Sequence, residues 1–195
     1  VTANSANTGI VPRTATVTIA GTGVSDKTVT VTQAYETTLG NTVVYSGTTT
    51  TANLRAIPVT FSKAGAIQNI SIYHNGGAGN VLLGVYSDQS GLPSSLLGVT
   101  AQTVINSTAG WQTVSLTSPV TVTSGQTVWL SWVFQNNPGV RYTAGTPGRA
   151  QSTLTWSGGM PATFGTATFA NNKFSIYCTY TTSSAKSAEI VSPQF

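Results

Sequence analysis

Thr and Val decide what this chain can fold into. It carries 35 Thr and 20 Val. Both are β-branched, stiff at χ1, and better accommodated on a pleated strand than in a helix. Their placement matters as much as their number. Thr14-Ala15-Thr16-Val17-Thr18-Ile19 and Thr28-Val29-Thr30-Val31-Thr32 alternate with period two. A strand turns successive side chains to opposite faces, so this alternation assigns one face to the core and one to water. No segment carries helical periodicity. The fold class expected is all-β: an antiparallel β-sandwich (jelly roll) with an extra N-terminal β-hairpin. With 195 residues the chain is long enough to bury a real core.

Three segments are expected: a hairpin over 1–36, a sandwich over 37–182 and a flexible tail over 183–195. The hairpin strands are joined by Ala20-Gly21-Thr22-Gly23-Val24-Ser25-Asp26. Two strands alone are marginal in water, so this hairpin needs something further to pair with. A short strand is expected at Thr42-Val43-Val44-Tyr45. Later strands are expected near 54–61, 66–74, 80–87, 96–105, 111–117, 120–123, 127–135, 140–143, 152–156 and 173–181. Turn chemistry separates them at Asn75–Asn80, Ser90–Pro93, Ser124-Gly125, Asn136–Gly139 and Thr146-Pro147-Gly148. The 75–80 turn reads as a hairpin that pairs His74 with Val81.

Charge narrows the function classes. Only 6% of residues are Asp, Glu, Lys or Arg, against roughly 25% in ordinary soluble domains. The eight cations, at 13, 27, 55, 63, 141, 149, 173 and 186, are scattered along the chain, whereas nucleic-acid binding draws on a dense basic patch. No apolar run approaches the roughly 18 residues of a helical membrane span. With no leader-like stretch and no initiating Met, the sequence reads as a mature piece or an excised one. The acids are Asp26, Glu36, Asp88 and Glu189, and no facing carboxylate pair can be assembled from them. His74 is the one His and lacks a Gly-x-Ser-x-Gly elbow, so a surface or ligand-contact role is expected for it. Cys178 lies in an apolar strand and reads as a buried thiol. The inventory excludes an ordinary zinc site. No cofactor is expected, beyond a structural calcium for which Asp88 is the weak metal candidate. The Ser-Asp-Gln-Ser-Gly context of Asp88 favours plain turn chemistry.

Two resemblances add to this reading. Asn7-Thr8-Gly9, Arg13-Thr14-Ala15-Thr16-Val17-Thr18 and Thr28-Val29-Thr30-Val31-Thr32-Gln33 resemble the second half of a BACON domain. These are immunoglobulin-like modules of secreted bacterial polysaccharide-processing proteins. From about residue 40 to 181, Gly84–Pro93, Gly110-Trp111-Gln112-Thr113-Val114-Ser115-Leu116, Val122–Leu130 and Met160–Gly165 are similar to jelly-roll modules of secreted multidomain bacterial enzymes and surface proteins. The resemblance implies an extracellular or cell-surface location, neighbouring domains of a larger chain as partners, and carbohydrate binding or a spacer role.

Neutral sugars are held by rings that stack on their C–H faces and by amides or Arg that direct hydrogen bonds. The candidate ligand-binding residues are therefore Trp156, Tyr142, Arg141, Asn136, Gln135, Trp111, Tyr73 and Tyr86. Strand phase puts Tyr73 and Tyr86 on one outward face with Asn69, Ser71 and Leu82, and turns Trp111 outward with Thr113 and Ser115. The expected function is a non-catalytic carbohydrate-binding module taking neutral polysaccharide. The alternative is a structural spacer or an adhesin or filament subunit that self-assembles through strand pairing, the orphan hairpin being its motive.

Overall fold

A computed structural model describes Asn7 and residues 11–182. Among them there is no helix. The strands, in chain order, are β1 (Arg13–Gly21), β2 (Val24–Gln33), β3 (Glu36–Gly40), β4 (Gly47–Thr49), β5 (Arg55–Thr60), β6 (Gly65–His74), β7 (Asn80–Gln89), β8 (Leu92–Val99), β9 (Thr103–Val104), β10 (Gly110–Val122), β11 (Thr127–Phe134), β12 (Val140–Ser152), β13 (Ala167–Phe174) and β14 (Ile176–Thr182). β1 and β2 form a two-stranded sheet, and the other twelve form a second, antiparallel one. The tail at 183–195 lies outside the described residues.

The twelve-stranded sheet packs as a sandwich. One layer runs β3-β14-β6-β10 and the other β8-β7-β11-β5-β12, with β12 also touching β6 at the Val140–His74 bridge. Between the layers lies a core that draws Ile70 and Ile72 from β6, Leu83 and Val85 from β7, and Leu130 and Trp132 from β11. All six are essentially sealed from solvent. Burying each such side chain stabilises the fold by about 1.5–3 kcal/mol. A smaller apolar cluster covers the outer face of the second layer. There the 153–166 loop lays Trp156, Met160 and Phe164 over Leu82, Tyr86, Trp129 and Val133.

Several expected boundaries move. β6 and β7 do not pair with each other: β6 pairs with β10 and β14, and β7 with β8 and β11. The Gly-rich 75–79 segment is thus an arch between layers rather than a hairpin turn, and His74 sits opposite Gly110 instead of Val81. Thr42–Tyr45 is not a strand, and Val43 and Val44 are exposed. β-branched residues make a strand only where a partner edge exists, and the partners here are β14 for β3 and β12 for β4. The span 96–105 splits into β8 and β9, while 111–117 and 120–123 merge into β10. Thr146-Pro147-Gly148 lies inside β12 at a register shift between Ala144 and Arg149, a bulge being a position where a strand tolerates Pro. The strand expected at 152–156 ends at Ser152. Ser175 divides the last expected strand: its N–H donates to Arg141 O (3.0 Å), and its carbonyl accepts from the Tyr73 N–H (2.9 Å). The chain changes layers at that residue.

The hairpin stands apart in pairing. Its register runs from Arg13 opposite Gln33 to Ile19 opposite Lys27, with Val17 facing Val29. Ile19 is 60% exposed. At the junction the chain is tied to the sandwich through buried Tyr35, whose carbonyl accepts from the Thr182 N–H (3.0 Å) and whose hydroxyl accepts from Lys63 Nζ (2.9 Å). Sandwich pairing begins with Glu36 opposite Thr181, one residue ahead of the expected boundary.

Candidate functional site

The outer face of the first layer carries a group of rings set by strand phase. Ile70 and Ile72, Val114 and Leu116, and Ile176 and Cys178 point into the core from β6, β10 and β14. The alternate residues therefore face outward: Asn69, Ser71 and Tyr73; Trp111, Thr113 and Ser115; Tyr177 and Thr179. Register then brings them side by side. Trp111 is opposite Tyr73, Thr113 opposite Ser71, and Tyr177 opposite Ser71 on its other side. The Trp111 ring lies 5.6 Å from Tyr73, at 87°, and 4.9 Å from Tyr177, at 62°. To reach Tyr177 the indole crosses β6 above Ser71, which is 1% exposed and bonded to Thr113 through their hydroxyls at 2.7 Å. A larger residue at 71 would lift the indole off the sheet. Gly40 performs a similar service beside Tyr177. Its φ is +121°, and a Cβ there would meet the Tyr177 Cα at 2.8 Å.

The three rings are half-exposed, and none of the eight outward side chains carries a formal charge. Edge-to-face contacts of this kind hold aromatic pairs with about 0.5–1.5 kcal/mol beyond simple burial. The result is an apolar platform rimmed by hydroxyls and an amide.

Behind the platform, His74 is fully buried, which corrects the expectation of a surface or ligand-contact residue. The Gly76 N–H donates to its Nδ1 (3.1 Å), so Nε2 carries the proton and donates to Gln112 Oε1 (2.8 Å). Gln112 Oε1 also accepts from the Asn106 N–H, and Gln112 Nε2 donates to Val104 O. Desolvation pushes the His74 pKa below its ordinary value, keeping the ring neutral. The network ties the 75–79 arch and the 104–106 segment to β10, just where Trp111 emerges.

The other expected site residues are dispersed. Tyr86 is 0% exposed, so it is no ligand contact: its hydroxyl donates to Pro161 O (2.7 Å) and its ring meets Phe164 at 5.3 Å. It lies on the outer face of the opposite layer from Tyr73, because β6 and β7 belong to different layers. Tyr142 stacks on Phe174 at 5.5 Å and packs against the core. Arg141 Nη1 donates to Ser46 O (3.2 Å). Gln135 and Asn136 are exposed, and Gln135 Oε1 accepts from Asn80 Nδ2 (2.9 Å), which places them on the turn beside the 75–79 arch. Trp156 is half-buried in the covering loop. Asp88 acts as a local acceptor: Oδ1 takes the Trp129 indole N–H (2.7 Å) and Oδ2 the Gly91 N–H (3.0 Å). No group of three or more His, Cys, Asp and Glu forms among the described residues. Cys178 is buried, as expected, with its thiol pKa pushed up to about 12 by desolvation.

Tyr177 is the platform residue that sequence reasoning missed. Its signal was available, since Ile176, Cys178 and Tyr180 alternate inward and leave Tyr177 outward. No protein-family model matches this chain, and no curated protein matches it.

Proposed function

We propose that this chain is a non-catalytic carbohydrate-binding module of a secreted or cell-surface protein, and that it holds neutral polysaccharide on the Tyr73–Trp111–Tyr177 platform. The observation that carries the reading is the contiguous, uncharged set of three half-exposed rings on adjacent strands. The rings offer faces and edges to sugar C–H groups, while Asn69, Thr113, Ser115 and Thr179 supply hydrogen-bond groups at the rim. Uncharged ligand and uncharged platform avoid the desolvation cost that buried ions carry. A glycan array of neutral oligosaccharides tests the reading. Signal from at least one neutral glycan class, reduced in Trp111→Ala and in Tyr177→Ala, is the expected result. An array blank for every neutral glycan, with folded protein, would overturn it.

A second reading, a structural subunit assembling through strand pairing, has one observation of its own. Among the described residues β1 and β2 pair only with each other, and Val11 and Ile19 are exposed. Light scattering over a concentration series separates the readings: reversible self-association weakened by Ile19→Lys favours assembly, whereas a strict monomer removes its motive.

A further inference from the structure

We infer that the sandwich has a second carbohydrate subsite on its opposite face, so that one module bridges two polysaccharide chains. The subsite is a groove of about 330 Å³ formed by the turn after β7, the start of β11 and the β12–β13 ladder. Its lining includes Asp88, Trp129, Gly148, Arg149, Phe169 and Asn171. The volume sits at the lower end of the range of about 300–1,000 Å³ typical of small-ligand sites, which suits one or two pyranose rings.

The chemistry of the lining selects a neutral polyol. Phe169 is 51% exposed, unusual for a large ring, and lies 6.3 Å from Trp129. It gives the groove an apolar wall on which a sugar face can lie. Asp88 offers acceptor oxygens, and Asn171 serves as both donor and acceptor. Both Asp88 oxygens already accept, from the Trp129 indole N–H and the Gly91 N–H, so the carboxylate in the lining is engaged rather than free to select a cation. Gly148 lets β12 and β13 approach closely beside the groove, since a Cβ there would collide with the Ala170 carbonyl.

Orientation supplies the consequence. Val128 and Leu130 point into the core, so Trp129 between them faces out of the second layer. The platform faces out of the first. The two sites look away from each other across the core, and one extended glycan segment cannot fill both. Two linked chains would be bridged, with the gain in apparent affinity that bivalency brings.

The inference shares the ligand class of the proposed function but rests on different residues, and its test separates the two. The chain has four Trp, at 111, 129, 132 and 156, so labelling with 5-fluorotryptophan and assignment by single Trp→Phe variants give a fluorine signal for each site. The probes are cellohexaose, xylohexaose, mannohexaose and laminarihexaose. A Trp129 shift on titration is expected, retained in Trp111→Ala and weakened about tenfold in apparent affinity by Phe169→Ala or Asn171→Ala. The wild-type chain should also precipitate the matching soluble polysaccharide, and Phe169→Ala should bind it without precipitation. A Trp129 signal that no probe moves while Trp111 responds would overturn the second subsite alone. Silence at both positions would overturn both readings. A response at Trp129 only would support the groove and overturn the platform.

Discussion

Single residues carry the sharpest consequences. His74 is buried and neutral, with its pKa below the ordinary value of 6.5. As pH falls through that value the unfolded chain takes up a proton that the folded chain refuses, so stability is full above about pH 6.5 and declines as pH falls toward the lowered folded value. The melting temperature should therefore drop between pH 7 and pH 5, and a His74→Gln variant, though less stable, should lose that dependence; an unchanged wild-type melting temperature over this window would contradict it. Cys178, with a thiol pKa pushed up to about 12 and no exposure, should be inert to a thiol-specific disulfide reagent at pH 8 in the native state and react fully once unfolded. Ser71 is a spacer for the Trp111 indole. Ser71→Leu should overpack that position, lower stability by about 1–3 kcal/mol in urea titrations and weaken glycan binding, whereas Ser71→Ala should retain binding.

At the scale of elements, packing divides the chain unevenly. β6, β7 and β11 are buried on the core side and supply ten of the 23 buried residues of the main core. Leu83→Ala in β7 should lower unfolding free energy by about 2–5 kcal/mol. β1 and β2 bury far less, so their amides should exchange with deuterium much faster than those of β6 or β11; equal protection would mean that the hairpin is covered by something other than the described residues. The elements also separate what sequence can tell from what it cannot. Inward Ile70, Ile72, Leu83, Val85, Leu130 and Trp132, and outward Trp111 and Tyr73, follow from period two alone. The partner of each strand does not. Asn75-Gly76-Gly77-Ala78-Gly79-Asn80 satisfies the backbone of a hairpin or of an arch between layers equally well, and the arch is what forms. Tyr73 and Tyr86 have the same local pattern, yet the 153–166 loop covers only Tyr86, and no local signal announces where a loop of that length will lie.

The whole molecule is a sandwich with little charge and two outward surfaces of different character. The cations of β12 and β13, Arg141, Arg149 and Lys173, belong to the second layer, with Arg55 of β5 buried beside Phe174, while the platform on β6, β10 and β14 stays uncharged. Binding there should depend little on ionic strength, because counterion release and screening act on charges. Affinity electrophoresis through gels holding dissolved neutral polysaccharides, compared for the wild type, Trp111→Ala, Trp111→Phe and Tyr177→Ala, tests the central claim most directly. At least one polysaccharide should retard the wild type, in low salt and at about 0.5 M salt alike, with retardation kept in part by Trp111→Phe and reduced in both Ala variants to what the groove at Phe169 alone supports. Equal mobility of wild type and Ala variants in every gel would contradict the platform as a glycan-binding surface.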